Sequence, residues 1–263
     1  MFARLADGGA ERLRAIEGQR TLLGRTMHAI SYDPIHDEIV VPQQFGQAVL
    51  TFAGDAKDDS PPKRVIRGPK TQLVALDRLG IDPVNNEIYV PEGDKVLVFP
   101  REANGNVAPI RVIAGSATRI GDASALGIDP IHNVVVVASS PPREPGSRRQ
   151  SSEITIFDRL ANGNVKPLRV IRDVPGQRVV VYPEGGLIFV LGPDFVGVWS
   201  VNDDGAVPPR FTIGGPKGAL RNTRGVAIDA KNRSIIVSDK DLNAVLTFEV
   251  PEIFTPSAPP AGR

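Results

Sequence analysis

Apolar residues along the chain come in short runs broken by turn-forming residues. Val134–Ala138 and Leu187–Leu191 are continuous and strand-sized, and Lys95-Val-Leu-Val-Phe99 is a further strand pattern. Beyond the first dozen residues no window carries a 3.6-residue period, so the pattern predicts strands nearly throughout. The runs repeat. Leu79-Gly-Ile-Asp-Pro-Val-Asn-Asn-Glu-Ile-Tyr-Val90 recurs as Ile30–Val41 and Leu126–Val137, more weakly as Val179–Val190, and again as Val226–Val237. A second motif follows each copy at a fixed offset, as in Val98-Phe-Pro-Arg-Glu-Ala-Asn-Gly-Asn-Val-Ala-Pro-Ile-Arg-Val-Ile113 and Ile156–Ile171. The N-terminal Met1–Gly18 reads as one more copy of this second motif, so Met1-Phe2 align with the start of a third strand.

One period contains four strand signals. Leu-Gly-Ile is followed by the tight turn Asp-Pro-x-x-Asn, in which Asp bonds its own following amides and Pro presets φ. Glu-Ile-Tyr-Val, Lys-Val-Leu-Val-Phe and Ile-Arg-Val-Ile follow, with Asn-Gly-Asn read as the hairpin before the last. Four-stranded antiparallel repeats at about 40–50 residues are the signature of a β-propeller. The expected architecture is therefore all-β, a single propeller over residues 1–254. Its repeats lie near 26–68, 74–115, 121–171, 174–215 and 221–250, and 255–263 form a proline-rich disordered tail. The last repeat lacks a fourth strand, whereas 12–17 is a fourth strand without a repeat. Pairing them closes five blades and hides two sheet edges. The rival count is a truncated six-bladed ancestor.

Thr223–Phe248 resembles the NHL repeat, matching at Gly225, Val226, Asp229, Ile236, Val237, Asp239, Asn243, Val245 and Phe248. The resemblance implies a propeller related to NHL and gluconolactonase-like proteins, among which are protein-binding modules, metal-dependent lactonases and lyases. The lactonase set of carboxylates and an Asn around one calcium does not map onto this sequence.

Register arithmetic proposes a site. With Asp33, Asp82, Asp129, Tyr182 and Asp229 as the ruler, the positions five residues earlier hold His28, Asp77, Ser124, Gln177 and Arg224. Arg78 and Arg178 stand one step later, and Glu92 and Asp239 stand ten residues after the ruler. If these loops open on one face, as the family resemblance implies, they ring one polar funnel whose Arg78, Arg178 and Arg224 suit an anionic group. The bland alternative is a set of solvated strand ends. No catalytic residue is assigned. No metal site is assigned either; His28, Asp77, Glu92 and Asp239 are ligand types that suit a divalent cation, the one cofactor worth testing. His36 and His132 share a repeated turn position, which argues for scaffold rather than chemistry.

Composition narrows the classes further. The chain has 263 residues, 31 basic and 30 acidic side chains and no cysteine. Balanced charge gives no electrostatic reason to seek nucleic acid or a membrane surface. Thiol catalysis, Cys-ligated metals and disulfides are excluded. No apolar run reaches membrane-spanning length and the N-terminus has no signal-peptide plan. The expectation is a soluble monomer, cytoplasmic as given and periplasmic or secreted if the native N-terminus is longer, whose partner is an unidentified protein or small ligand. Ser139–Ser152, with three arginines, reads as a solvated loop, with a basic lid as the rival. Trp199 stands where Phe99 and Phe157 stand, and so belongs to the core. The functional expectation is a non-catalytic binding scaffold; the alternative is a metal-dependent lactonase-like hydrolase or lyase.

Overall fold

The computed structural model describes residues 1–3, 6–24, 27–141 and 152–254. The arginine-bearing part of the 139–152 loop and the 255–263 tail lie outside them. The chain is all-β, with nineteen strands in five antiparallel sheets among the described residues. The first sheet holds β1 (Ser31–Asp33), β2 (Glu38–Gln43), β3 (Ala48–Ala53) and β4 (Arg64–Arg67); the second holds β5 (Gly80–Asp82), β6 (Glu87–Glu92), β7 (Lys95–Pro100) and β8 (Arg111–Ala114). The third comprises β9 (Asp122–Asp129), β10 (Val134–Ser140), β11 (Ser152–Asp158) and β12 (Arg169–Val174), and the fourth β13 (Arg178–Tyr182), β14 (Leu187–Leu191), β15 (Phe195–Ser200) and β16 (Phe211–Gly214). The fifth has three strands, β17 (Thr223–Asp229), β18 (Ser234–Asp239) and β19 (Ala244–Glu249). Strand order follows chain order in every sheet, the up-and-down blade expected from the repeat. Two compact units divide the chain, Met1–Val112 and Ile113–Arg263.

The ruler Asp explains the first hairpin of four blades, the fourth blade carrying Tyr182 there instead. Asp33 Oδ1 accepts the amides of Ile35 and His36, while Oδ2 contacts His36 Nδ1 at 2.8 Å. Asp129 does the same with Ile131 and His132, and Asp82 and Asp229 bond Asn85 and Asn232. These histidines are turn closures. Two blades add a buried ion pair at the start of strand two. Glu38 accepts from Lys63 at 2.7 Å, from Arg101 at 2.8 Å and from Arg64, and Glu87 takes Arg111 through two bonds of 2.7 and 2.8 Å.

Asn-Gly-Asn is more than a hairpin. Gly105 bridges to Ile66 of the preceding blade, Asn104 Oδ1 accepts the Val65 amide at 2.9 Å, and Asn106 Oδ1 accepts that of Lys70 at 2.8 Å. In the second unit Gly163 bridges to Ile113, and Asn164 caps Ala117 at 2.7 Å. Gly68 and Gly115, which open the capped turns, hold φ of +127° and +118°; a Cβ there would stand 2.6 and 2.5 Å from the Asn oxygen. Only glycine fits.

The N-terminal segment uses the same device. Ile16 bridges to Asp58, and Asp59 Oδ1 accepts the Arg20 amide at 2.7 Å. Arg12–Glu17 thus takes the position of an outer strand beside the first blade, as one bridge rather than a regular strand; its completion of the β17–β19 sheet stays a proposal. At the other end Val250 leads into a short helix, Pro251–Phe254. Ile253 is buried, and Phe254 meets Tyr182 edge-on with ring centroids 5.3 Å apart. Trp199 is buried in the core of the third and fourth blades, its Nε1 donating to Val207 O at 3.0 Å.

Candidate functional site

In the first unit the inner strands β1 and β5 are neighbours. Because one period separates them, His28 and Asp77 stand at the same register, three residues ahead of each strand. Their side chains meet, His28 Nδ1 on Asp77 Oδ1, and both are about two-fifths exposed. Asp77 Oδ2 also lies 3.7 Å from Arg78 Nε. Arg78 is mostly buried; burial lowers its pKa, and the Asp77 charge restores only part of the loss. Its terminal guanidinium nitrogens make no hydrogen bond to a described residue, so a two-pronged donor remains beside a carboxylate already shared with His28. A carboxylate on Nδ1 also fixes the imidazole ring with Nε2 directed away from Asp77.

Glu92 is elsewhere engaged. Its buried carboxylate accepts the amides of Val74 at 3.0 Å and Ala75 at 2.9 Å, pinning the loop ahead of β5 to the end of β6. Gln43 is the counterpart one repeat earlier, donating to Leu22 O at 3.4 Å and accepting from the Gly46 amide at 2.6 Å.

The second unit repeats this economy. Ser124 Oγ donates to Gln177 O at 2.9 Å and to Ala138 O at 3.2 Å, while Gln177 Nε2 donates to Ser140 Oγ at 2.6 Å. Arg178 Nη1 donates to Thr223 O at 3.3 Å. Asp239 accepts four backbone amides, from Arg221, Asn222, Asp241 and Leu242, at 2.6 to 3.1 Å. Burial pushes its carboxyl up, but those four donors outweigh it and hold the pKa below the usual carboxylate range. Arg224 is exposed on β17.

The register arithmetic therefore brings His28, Asp77 and Arg78 together in the first unit, and Ser124 with Gln177 in the second. Glu92 and Asp239 turn their carboxylates to backbone instead. Among the described residues no three His, Asp or Glu side chains gather as a metal-ligand set. The Glu38 cluster went unforeseen, although its signal was present: Glu opens strand two and Arg strand four in both of the first repeats.

No family model matches the chain, and no curated protein does. Solved structures do. The Kuenenia stuttgartiensis hydrazine synthase matches with a TM-score of 0.58 at 16% identity, over 88% of this chain. The fold is a β-propeller. This chain spans 58% of the length of the hydrazine synthase chain, and at that identity the likeness carries fold alone. Matching solved chains number 946, a breadth that lets the fold choose no function. No helix among the described residues is long and apolar enough to cross a membrane.

Proposed function

We propose that this propeller is a non-catalytic binding scaffold, related to NHL and gluconolactonase-like repeats, that recognises an anionic group through Arg78 beside the His28–Asp77 pair. The observation that carries the reading is Arg78. It is mostly buried, its nearest carboxylate is shared with His28, and its guanidinium fork makes no hydrogen bond to the described residues. A half-desolvated arginine with free, planar donors fits a carboxylate or phosphate oxygen pair better than water does. The kinship to NHL repeats rests on Gly225, Asp229, Asp239 and Phe248 of the last repeat. Two residues count against the metal-assisted alternative, because Glu92 and Asp239 already accept backbone amides.

The test is a thermal melt against a panel of small carboxylates and phosphates. A binder that saturates raises the midpoint by mass action, by about 2.7 kcal/mol of stability at a hundredfold excess over Kd. Arg78→Leu should abolish the shift and Arg67→Leu should retain it. No shift with any anion, or an equal shift in Arg78→Leu, overturns the proposal.

A further inference from the structure

The residue beside Arg78 decides what its guanidinium fork can hold. The Asp77 side chain is 41% exposed, and its two oxygens are unequally used. Oδ1 meets His28 Nδ1. Oδ2 has Arg78 Nε at 3.7 Å, beyond hydrogen-bond reach, and accepts no hydrogen bond from a described residue. An open acceptor therefore lies next to an open pair of donors, the Arg78 terminal nitrogens.

The repeat does not impose this opening. In the second unit Gln177 and Arg178 hold the registers of Asp77 and Arg78. There the chain itself takes up the polar groups: Gln177 Nε2 donates to Ser140 Oγ at 2.6 Å, and Arg178 Nη1 to Thr223 O at 3.3 Å. Among the candidate carboxylates Asp77, Glu92 and Asp239, the last two give both oxygens to backbone amides. Only Asp77 keeps one oxygen without a hydrogen bond from a described residue. A plain anion on Arg78 meets the Asp77 charge at the same time. Attraction to the guanidinium and repulsion from the carboxylate act over similar distances, and the burial of Arg78, 21% exposed, strengthens both. A ligand that carries a cationic donor next to its anion turns that repulsion into a second charge-assisted bond.

We propose that the Arg78 site takes a small amino-acid zwitterion, with its carboxylate on the Arg78 fork and its ammonium on Asp77 Oδ2, while His28 holds Asp77 through Oδ1. The assignment rests on the anion-binding reading of Arg78 and narrows it from anions in general to a carboxylate borne beside an ammonium. Each ligand charge then meets its counter-charge, and each open protein group gains the partner it lacks.

Isothermal titration calorimetry of the whole protein with glycine, acetate and methylammonium at neutral pH separates the two charges. Glycine should bind about ten-fold or more tighter than either ligand of single charge. Asp77→Asn should weaken glycine by about ten-fold and leave acetate at least as tight, because the repulsion goes with the charge. If wild type binds glycine no tighter than acetate or methylammonium, or if Asp77→Asn weakens glycine and acetate equally, the zwitterion assignment is overturned while anion binding through Arg78 stands. Absence of binding by every ligand, or acetate binding that survives Arg78→Leu, overturns the underlying reading and the assignment with it. The comparison of ligands on wild type needs no variant, so it stays decisive if a substitution disturbs the fold.

Discussion

Replacing Glu38 by glutamine separates a charge cluster from its one buried carboxylate; the other carboxylate on it, Glu102 on Arg101, is exposed. Glu38 is 1% exposed and accepts from Lys63, Arg64 and Arg101. Burial alone pushes its carboxyl up, but the three cations outweigh it and lower the pKa from 4.5 to about 2. A folded pKa below the unfolded one stabilises the protein above pH 4.5, and that contribution drains away as pH falls toward 2. The shift of about 2.5 units corresponds to about 3 kcal/mol at neutral pH. Removing one partner of a buried pair costs about 3–5 kcal/mol, because the cations stay behind. Urea denaturation of wild type and Glu38→Gln at pH 7 should show a gap of that size. At pH 3 the gap should narrow by about 2 kcal/mol, since the unfolded-state carboxyl is by then protonated. A gap that is constant between pH 7 and pH 3 would refute the reasoning.

The turn glycines and their caps should be separable. Gly115→Ala should lower stability by about 1–3 kcal/mol through backbone strain at φ +118° and a collision with Asn164, whereas Asn164→Ala should cost about 1 kcal/mol for its lost bond to Ala117; equal effects from both would contradict this. Ile253→Ala should cost about 2–4 kcal/mol in chemical denaturation, because Ile253 fills the core against the fourth and fifth blades. Glu92→Ala should lower the melting midpoint by stranding the Val74 and Ala75 amides, yet leave any anion-dependent shift intact, a pattern that a ligand-contacting carboxylate would not give.

Much of the fold was legible because its signals repeat with the structure. The Asp-Pro turns, the strand pairs behind them and the core place of Trp199 all follow from residue types that one blade dictates by itself. The His36 and His132 turn closures were readable for the same reason. What a second blade dictates was harder to read. Asn104–Asn106 looks like a local hairpin, yet two of its side chains bond the preceding blade. The candidate ring divided along the same line. Register placed His28 and Asp77 side by side, as strands one period apart must. It carried no information on which polar atoms turn to backbone, so Glu92 and Asp239 looked equivalent to Asp77 until their amide donors were visible. Arg12–Glu17 reads as a fourth strand in the sequence, yet it forms one bridge to Asp58 rather than a regular strand, and that bridge depends on a positive-φ aspartate that the Asn-Gly pattern disguises.

The claim that this propeller binds rather than catalyses is tested most directly by turnover of a lactone panel, measured with calcium, zinc and magnesium each in excess. The account predicts hydrolysis no faster than buffer with every cation, for wild type and for Asp77→Asn alike. Cation-dependent turnover by wild type that disappears in Asp77→Asn would contradict it.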